Sequence, residues 1–98
     1  TLPENFSFLG REEDKIAQAA AIASKSEKFL KTVAQRFQVT VLGGGFPVPV
    51  DDNKVYNTAL LIGSSGEELA CYQKVHLFDV NLPDGNTYRE SSTVQAGT

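Results

Sequence analysis

Three consecutive apolar stretches constrain the fold of this chain more than any other feature. Residues 39–48 (VTVLGGGFPV), 55–63 (VYNTALLIG) and 69–78 (LACYQKVHLF) are rich in β-branched, leucine and aromatic residues, and turn-like sequences separate them. This pattern predicts three β-strands, of which the last two pair antiparallel across a tight turn. Because near-continuous apolar strands need cover on both faces, we expect a layered α/β (α+β) fold in which part of the cover comes from outside this chain.

The residues before the strands predict helices. Acidic residues followed by alanine and isoleucine indicate a short helix over residues 12–22. Ser24 and Glu27 have the spacing of a capping box, so a second helix is expected over residues 24–37. Its apolar side chains recur at three- and four-residue steps and predict one buried stripe, formed by Phe29, Leu30, Val33, Ala34 and Phe37.

Length and charge narrow the class of protein. The 98 residues suffice for one small domain, and the net charge of −3 is spread without basic clusters. This argues against nucleic acid or an anionic membrane as a partner, and no run of 18 apolar residues predicts a membrane span. The single cysteine favours a reducing, cytoplasmic setting. Neither "TLPENF" nor "QAGT" resembles a natural terminus, so we expect a segment of a longer protein.

Lys74 is the most unusual residue, because it interrupts an apolar predicted strand. A buried ammonium loses its hydration and needs a charged partner to stay protonated. The candidate carboxylates are those near strand ends and loops, namely Glu4, Asp79, Asp84 and Glu90. Sequence reasoning alone leaves a structural ion pair and a catalytic lysine about equally supported.

Two other motifs give less support for a functional site. Gly43-Gly44-Gly45 is not followed by a phosphate-binding pattern, so we expect close backbone approach at the end of a strand. Cys71 and His76 lie five residues apart and, by strand alternation, point to opposite faces. Cys71 also opposes Lys74, three residues away, and we expect it to be inert, buried filler.

Together, these pieces resemble the nitrilase superfamily, the carbon–nitrogen hydrolases. "LPENFSFLG" resembles its strand-end glutamate motif, "YQKVHLFDV" its lysine motif and "YRESSTVQAG" the segment with a second glutamate, while "LGGGFP" and "VYNTALLIG" match the strands between. The resemblance runs from Leu2 to Gly97 and is strongest to the omega-amidase and deaminated-glutathione-amidase branches. It implies that residues 1–98 are a partial carbon–nitrogen hydrolase domain, without its first strand and its nucleophile segment, in an α-β-β-α four-layer sandwich.

The resemblance also implies roles for individual residues. Glu4 corresponds to the general base, Lys74 to the catalytic lysine and Glu90 to the second glutamate that orients the substrate and the triad. The third triad member is a cysteine in a later motif, which this sequence does not reach, and Cys71 does not occupy that position. The implied activity is hydrolysis of small amides through a thioester with release of ammonia, in a homodimer or higher oligomer, with no cofactor and no metal ion.

Two alternatives remain open at this point. The chain could belong to a non-catalytic, truncated relative that acts as a binding module, or to a nitrilase-type enzyme for another C–N bond. The segment "GGGFPVPVDD" lies where substrate-specific loops occur and matches neither amidase branch well.

Overall fold

The computed structural model describes residues Thr1–Thr98 as one α-helix followed by two small sheets. The elements in chain order are α1 (Glu12–Phe37), β1 (Val41–Pro49), β2 (Val55–Ile62), β3 (Glu68–Gln73), β4 (Asp79–Asn81), β5 (Thr87–Arg89) and a 3₁₀ turn (Glu90–Ser92). Strands β1, β2 and β3 form an antiparallel sheet in that order, and β4 pairs with β5. The predicted mixture of helix and sheet, with three strands in succession, is confirmed. None of its helices has the combination of length and apolar character that a membrane span needs.

Helix α1 is continuous, so the prediction of two helices separated by a capping box was wrong. Ser24 lies inside the 26-residue helix instead of capping a new one. The residues around it are good helix formers with no glycine or proline among them, and one serine does not interrupt such a segment. The helix ends at Gln38, which adopts the left-handed conformation (φ 53°), and the Val39 N–H donates to the Ala34 carbonyl.

The core lies between α1 and one face of the three-stranded sheet. Leu30 and Ala34 are fully buried there against side chains of β1 and β2, namely Val41, Phe46, Leu60 and Ile62. The predicted stripe is therefore correct at its centre. Phe29 and Phe37 remain exposed, because Phe29 points about 100° away from Leu30 around the helix and Phe37 is the last helical residue.

The opposite face of the sheet is open. Leu42 and Leu61 pair across β1 and β2 on this face, and Ala59 pairs with Tyr72 of β3. Leu42 is 44% exposed and Tyr72 is 56% exposed. As predicted, residues of this chain cover only one of the two faces of the apolar strands.

The three glycines of β1 allow other parts of the chain to approach closely. A side chain at Gly44 would place its Cβ 2.4 Å from the Leu2 carbonyl oxygen. Leu2 instead forms a parallel bridge with Gly43, and the Asn5 N–H donates to the Gly45 carbonyl. The prediction of close backbone approach is confirmed, but its placement at the end of a strand was wrong, because the glycines lie inside β1. This approach fixes the segment that carries Glu4.

The third strand is shorter than predicted, and a small hairpin follows it. Strand β3 ends at Gln73, so Lys74 lies just beyond the strand instead of in its middle. Residues 81–92 contain part of the β4–β5 hairpin, for which no strand was predicted. Its turn places Gly85 at φ 89°, and the Leu82 N–H donates to the Asn86 carbonyl. An Asp-Gly turn between two short strands is a known hairpin signal.

Candidate active site

Glu4, Lys74 and Glu90 meet at one end of the larger sheet. The Nζ atom of Lys74 lies 3.1 Å from Oε1 of Glu4. The same nitrogen donates a hydrogen bond to Oε2 of Glu90 at 3.1 Å and lies 2.9 Å from Oε1. The other two candidate partners bond elsewhere, Asp79 to Ser91 and Asp84 to Asn86. The structure thus brings together the three predicted site residues, which are far apart in sequence.

Main-chain hydrogen bonds position Lys74. Its N–H donates to the Asn57 carbonyl of β2 at 2.8 Å, and its carbonyl accepts from the Gly97 N–H at 2.9 Å. Lys74 is therefore tied to the central strand on one side and to the C-terminal segment on the other. Glu4 follows the Leu2–Gly43 bridge and lies in a turn that is attached to β1, because the Asn5 N–H donates to the Gly45 carbonyl.

The 3₁₀ turn positions Glu90 from several directions. The Glu90 N–H donates to the Phe78 carbonyl. The next residue, Ser91, donates to Asp79 from both its N–H and its hydroxyl, and its carbonyl accepts from Nζ of Lys54 at 2.7 Å. These contacts hold the start of the 3₁₀ turn against β4 and against Lys54, which lies between β1 and β2. The Glu90 carboxylate therefore points at Lys74.

The three charged side chains of the site differ in their exposure to solvent. The side chain of Glu90 is 12% exposed, that of Lys74 is 27% exposed and that of Glu4 is 50% exposed. Lys74 is half-buried because it lies past the end of β3, so the expectation of a buried lysine inside a strand was wrong. Burial lowers the pKa of Lys74, but hydrogen bonds and charges from Glu90 and Glu4 outweigh this effect, so its pKa lies above the ordinary value. The ammonium therefore stays protonated at neutral pH.

Asn57 is a site residue that the sequence analysis missed. Its Nδ2 donates to Oε1 of Glu4, the same oxygen that Lys74 contacts. By strand alternation, Asn57 shares the open face of β2 with Ala59 and Leu61. An amide side chain in the middle of an apolar strand is uncommon, and this was the available signal.

Two open clefts meet at the Glu4–Lys74 pair. Each has a volume of about 380 Å³. One is bordered by Gly44, Gly45, Asn57, Ala59, Tyr72 and His76, and the other by Asn5, Phe78, Tyr88 and Glu90. The rings of Phe78 and Tyr88 lie 5.7 Å apart and form an aromatic wall beside the carboxylates. No three His, Cys, Asp or Glu side chains are grouped closely enough to hold a metal ion.

Cys71 lies away from this site. It pairs with Leu60, whose side chain faces α1, and it borders a cleft with Ala23 and Glu27 of the helix. The prediction that Cys71 and Lys74 point to opposite faces is confirmed. The prediction that Cys71 is buried was wrong, because β3 is an edge strand and leaves it exposed. Partial desolvation and the nearby carboxylates of Glu68 and Glu27 raise the pKa of the Cys71 thiol. A thiol in this environment is a poor nucleophile.

The fold and this arrangement of charges define a class of protein. The family described as carbon-nitrogen hydrolase matches residues 1–98, and the chain belongs to that family. Among solved structures, the NitFhit protein of C. elegans superposes with a TM-score of 0.84 at 33% identity, over 99% of this chain and 24% of that one. A cysteine mutant of an amidase of the nitrilase superfamily from Nesterenkonia sp. superposes with a TM-score of 0.74 at 26% identity, over 99% of this chain and 34% of that one.

Individual relatives narrow the comparison further. The chain is 67% identical over 98 residues to a deaminated glutathione amidase of Synechocystis, covering 98% of this chain and 36% of the relative. It is 38% identical over 97 residues to an omega-amidase of Homo sapiens, covering 99% of this chain and 35% of the relative. The chain thus spans about a third of the length of the curated relatives it matches, and the relatives named here are amidases.

Proposed function

We propose that the protein containing this chain hydrolyses the C–N bond of small amides, with Glu4 as general base, Lys74 as oxyanion-stabilising cation and Glu90 as orienting carboxylate. The observation that carries the proposal is the protonated Lys74 held between two carboxylates beside open clefts. The nucleophile is a cysteine outside residues 1–98, as the family resemblance implies.

The first half of the reaction forms a thioester. The cysteine sulfur attacks the amide carbon while Glu4 takes the thiol proton. Negative charge develops on the carbonyl oxygen, and the Lys74 ammonium, already fixed by Glu4 and Glu90, stabilises it without reorganising. Glu4 then gives its proton to the leaving nitrogen, the C–N bond breaks, and ammonia or an amine departs.

The second half regenerates the enzyme. Water attacks the thioester carbon while Glu4 accepts one of its protons, and Lys74 again faces the developing oxyanion. The C–S bond then breaks, and Glu4 returns the proton to the sulfur. The balance is one amide and one water consumed, and one carboxylic acid and one ammonia or amine released. One carboxylate can serve both halves because it is protonated and deprotonated once in each.

For the substrate, we propose deaminated glutathione first and simple ω-amides second. The relatives of Synechocystis and Homo sapiens bear these two activities in their names, and the higher identity to the first supports that order. We also propose a homodimer or higher oligomer and a cytoplasmic location, on the family resemblance and on the single cysteine.

The test uses the full-length protein and the variant Lys74→Met, which keeps an unbranched side chain one atom shorter and removes its charge. We expect kcat to fall by at least about 10²–10³-fold, the effect of losing one oxyanion donor. Lys31→Met is the matched control, because Lys31 lies on α1 and pairs only with Glu27. Product release from both substrates is measured, together with thermal unfolding.

Two results would contradict the proposal. Lys74→Met with wild-type turnover would remove Lys74 from the reaction. A folded, full-length wild-type protein that binds either amide without hydrolysing it would instead support the binding-module alternative.

A further inference from the structure

We infer that Asn57 is the positioning residue for the general base: together with Lys74 it holds Oε1 of Glu4, so that Oε2 remains the oxygen that accepts protons. This inference rests on the proposed function of Glu4. It concerns a residue that touches neither the substrate nor the nucleophile in the mechanism given above, and it assigns different tasks to the two oxygens of one carboxylate.

The hydrogen bonds of Glu4 are concentrated on one oxygen. Nδ2 of Asn57 donates to Oε1 at 2.5 Å, and Nζ of Lys74 donates to the same atom at 3.1 Å. Oε2 makes no hydrogen bond to the chain. Two donors on a single oxygen fix the plane of the carboxylate, and the other oxygen keeps its lone pairs for proton transfer. Glu4 needs such a constraint because it lies in a turn and its side chain is 50% exposed.

Asn57 also fixes the second partner. Its main-chain carbonyl accepts the Lys74 N–H at 2.8 Å, while its side chain holds Glu4. One residue of the central strand β2 therefore sets the position of both the base and the cation relative to each other. A base and a cation placed by one rigid element stay in register when loops move.

The neighbouring strand leaves room for this amide. A Cβ atom built on Gly45 would lie 1.6 Å from Oδ1 of Asn57, a distance at which two atoms overlap. Only glycine at position 45 lets the Asn57 side chain take this orientation. The close packing of Gly45 against the amide, with Asn57 half-buried, leaves the side chain little freedom to turn away from Glu4.

The experiment compares two variants of adjacent residues in the full-length protein. Asn57→Leu keeps a similar shape and removes the donor. Thr58→Val is the matched control, because Thr58 faces the other side of β2 and its buried hydroxyl has no partner. We expect Asn57→Leu to lower kcat by about 10- to 100-fold, the usual cost of misplacing a catalytic group through its support, with KM nearly unchanged. Thr58→Val should leave both constants unchanged.

A crystal structure of Asn57→Leu gives a readout that does not depend on activity. We expect the Glu4 carboxylate to rotate away from Lys74, and Gly45→Ala to produce the same displacement by pushing the amide aside. Asn57→Ser, which adds no apolar atoms, replaces Asn57→Leu if that variant is insoluble.

The outcomes separate this inference from the proposed function. An unmoved Glu4 carboxylate in the variant structure, or an unchanged kcat while Lys74→Met is inactive, would overturn the role of Asn57 and leave the amidase proposal standing. If the wild-type protein hydrolyses no amide, the proposed function fails, and a displaced Glu4 in the variant structure would still support positioning by Asn57.

Discussion

At the scale of single residues, one ammonium between two carboxylates organises the site. Exposed ion pairs contribute little to stability, and Glu4 is half-exposed. We therefore expect the Glu4–Lys74 pair to contribute little to the free energy of unfolding, which favours a role in the proposed reaction. Removing Lys74 would leave two carboxylates facing each other without a cation, so the site depends on Lys74 more than on either glutamate.

Cys71→Ala tests whether the cysteine of this segment takes part in the reaction. We expect turnover of the full-length protein to stay close to that of the wild type, because Cys71 faces α1 and not Lys74. Since Cys71 is exposed, the free energy of unfolding should change by no more than about 0.5 kcal/mol. Steady-state kinetics and urea unfolding measure both quantities. Loss of activity in a folded variant would show that strand alternation misassigns this thiol.

At the scale of secondary-structure elements, the β4–β5 hairpin and the 3₁₀ turn together hold Glu90 in place. Asp79 begins β4 and accepts two hydrogen bonds from Ser91, the residue that follows Glu90. The Asp79 carboxylate therefore attaches the 3₁₀ turn, and with it Glu90, to the hairpin. Glu12 makes a comparable link, because it accepts from the Thr93 hydroxyl and pairs with Lys15, and so joins α1 to the same segment.

Acidification should weaken the attachment of this turn. The hydrogen bonds from Ser91 lower the pKa of Asp79 below its ordinary value of 3.8. A carboxylate with a lowered pKa in the fold stabilises it fully above the unfolded pKa and ceases to do so as the pH falls through the folded value. We expect the free energy of unfolding to decrease below about pH 4, and less steeply in Asp79→Asn than in the wild type. Urea titrations between pH 2.5 and about 6 measure this; identical slopes for the two proteins would contradict the assigned role.

At the scale of the whole molecule, residues 1–98 form two layers, the helix α1 and the three-stranded sheet. One face of the sheet packs on α1, and the other exposes Leu42 and Tyr72. Strand β3 is an edge strand that is exposed along most of its length. The candidate site lies at the end of this open face, and the clefts around Glu4 and Lys74 open beside it.

The isolated segment Thr1–Thr98 should therefore associate and should hydrolyse nothing. Apolar sheet surface and an unpaired strand edge favour pairing with other chains in water. Hydrolysis is not expected because Cys71, the one cysteine of the segment, faces away from Lys74. Light scattering, binding of a hydrophobic dye and product release from deaminated glutathione and 2-oxoglutaramate provide the measurements. A monomeric segment that binds no dye would contradict the view that the open face needs a cover. Hydrolysis above that of a Lys74→Met segment would contradict the need for a cysteine from elsewhere.

Patterns of residue type were enough to predict the three strands, the helical N-terminal half and the opposition of Cys71 to Lys74. These features depend on local spacing, which alternates every two residues in a strand and every 3.6 in a helix. The family motifs likewise singled out Glu4, Lys74 and Glu90 as site residues. The predicted boundary at Ser24 was wrong because local capping signals compete with helix formers on both sides.

The choice of Glu4 and Glu90 over Asp79 and Asp84 as partners of Lys74 could not follow from local pattern, because it depends on which strand ends meet in space. The same is true of Asn57, whose importance comes from the oxygen it reaches on Glu4 and from the space that Gly45 leaves for it. Asn57 and Lys74 lie 53 and 70 positions from Glu4 along the chain, so their hydrogen bonds to it exist only in the folded chain. Spacing along the sequence carries no record of them, since many different packings satisfy the same alternation of apolar and polar residues.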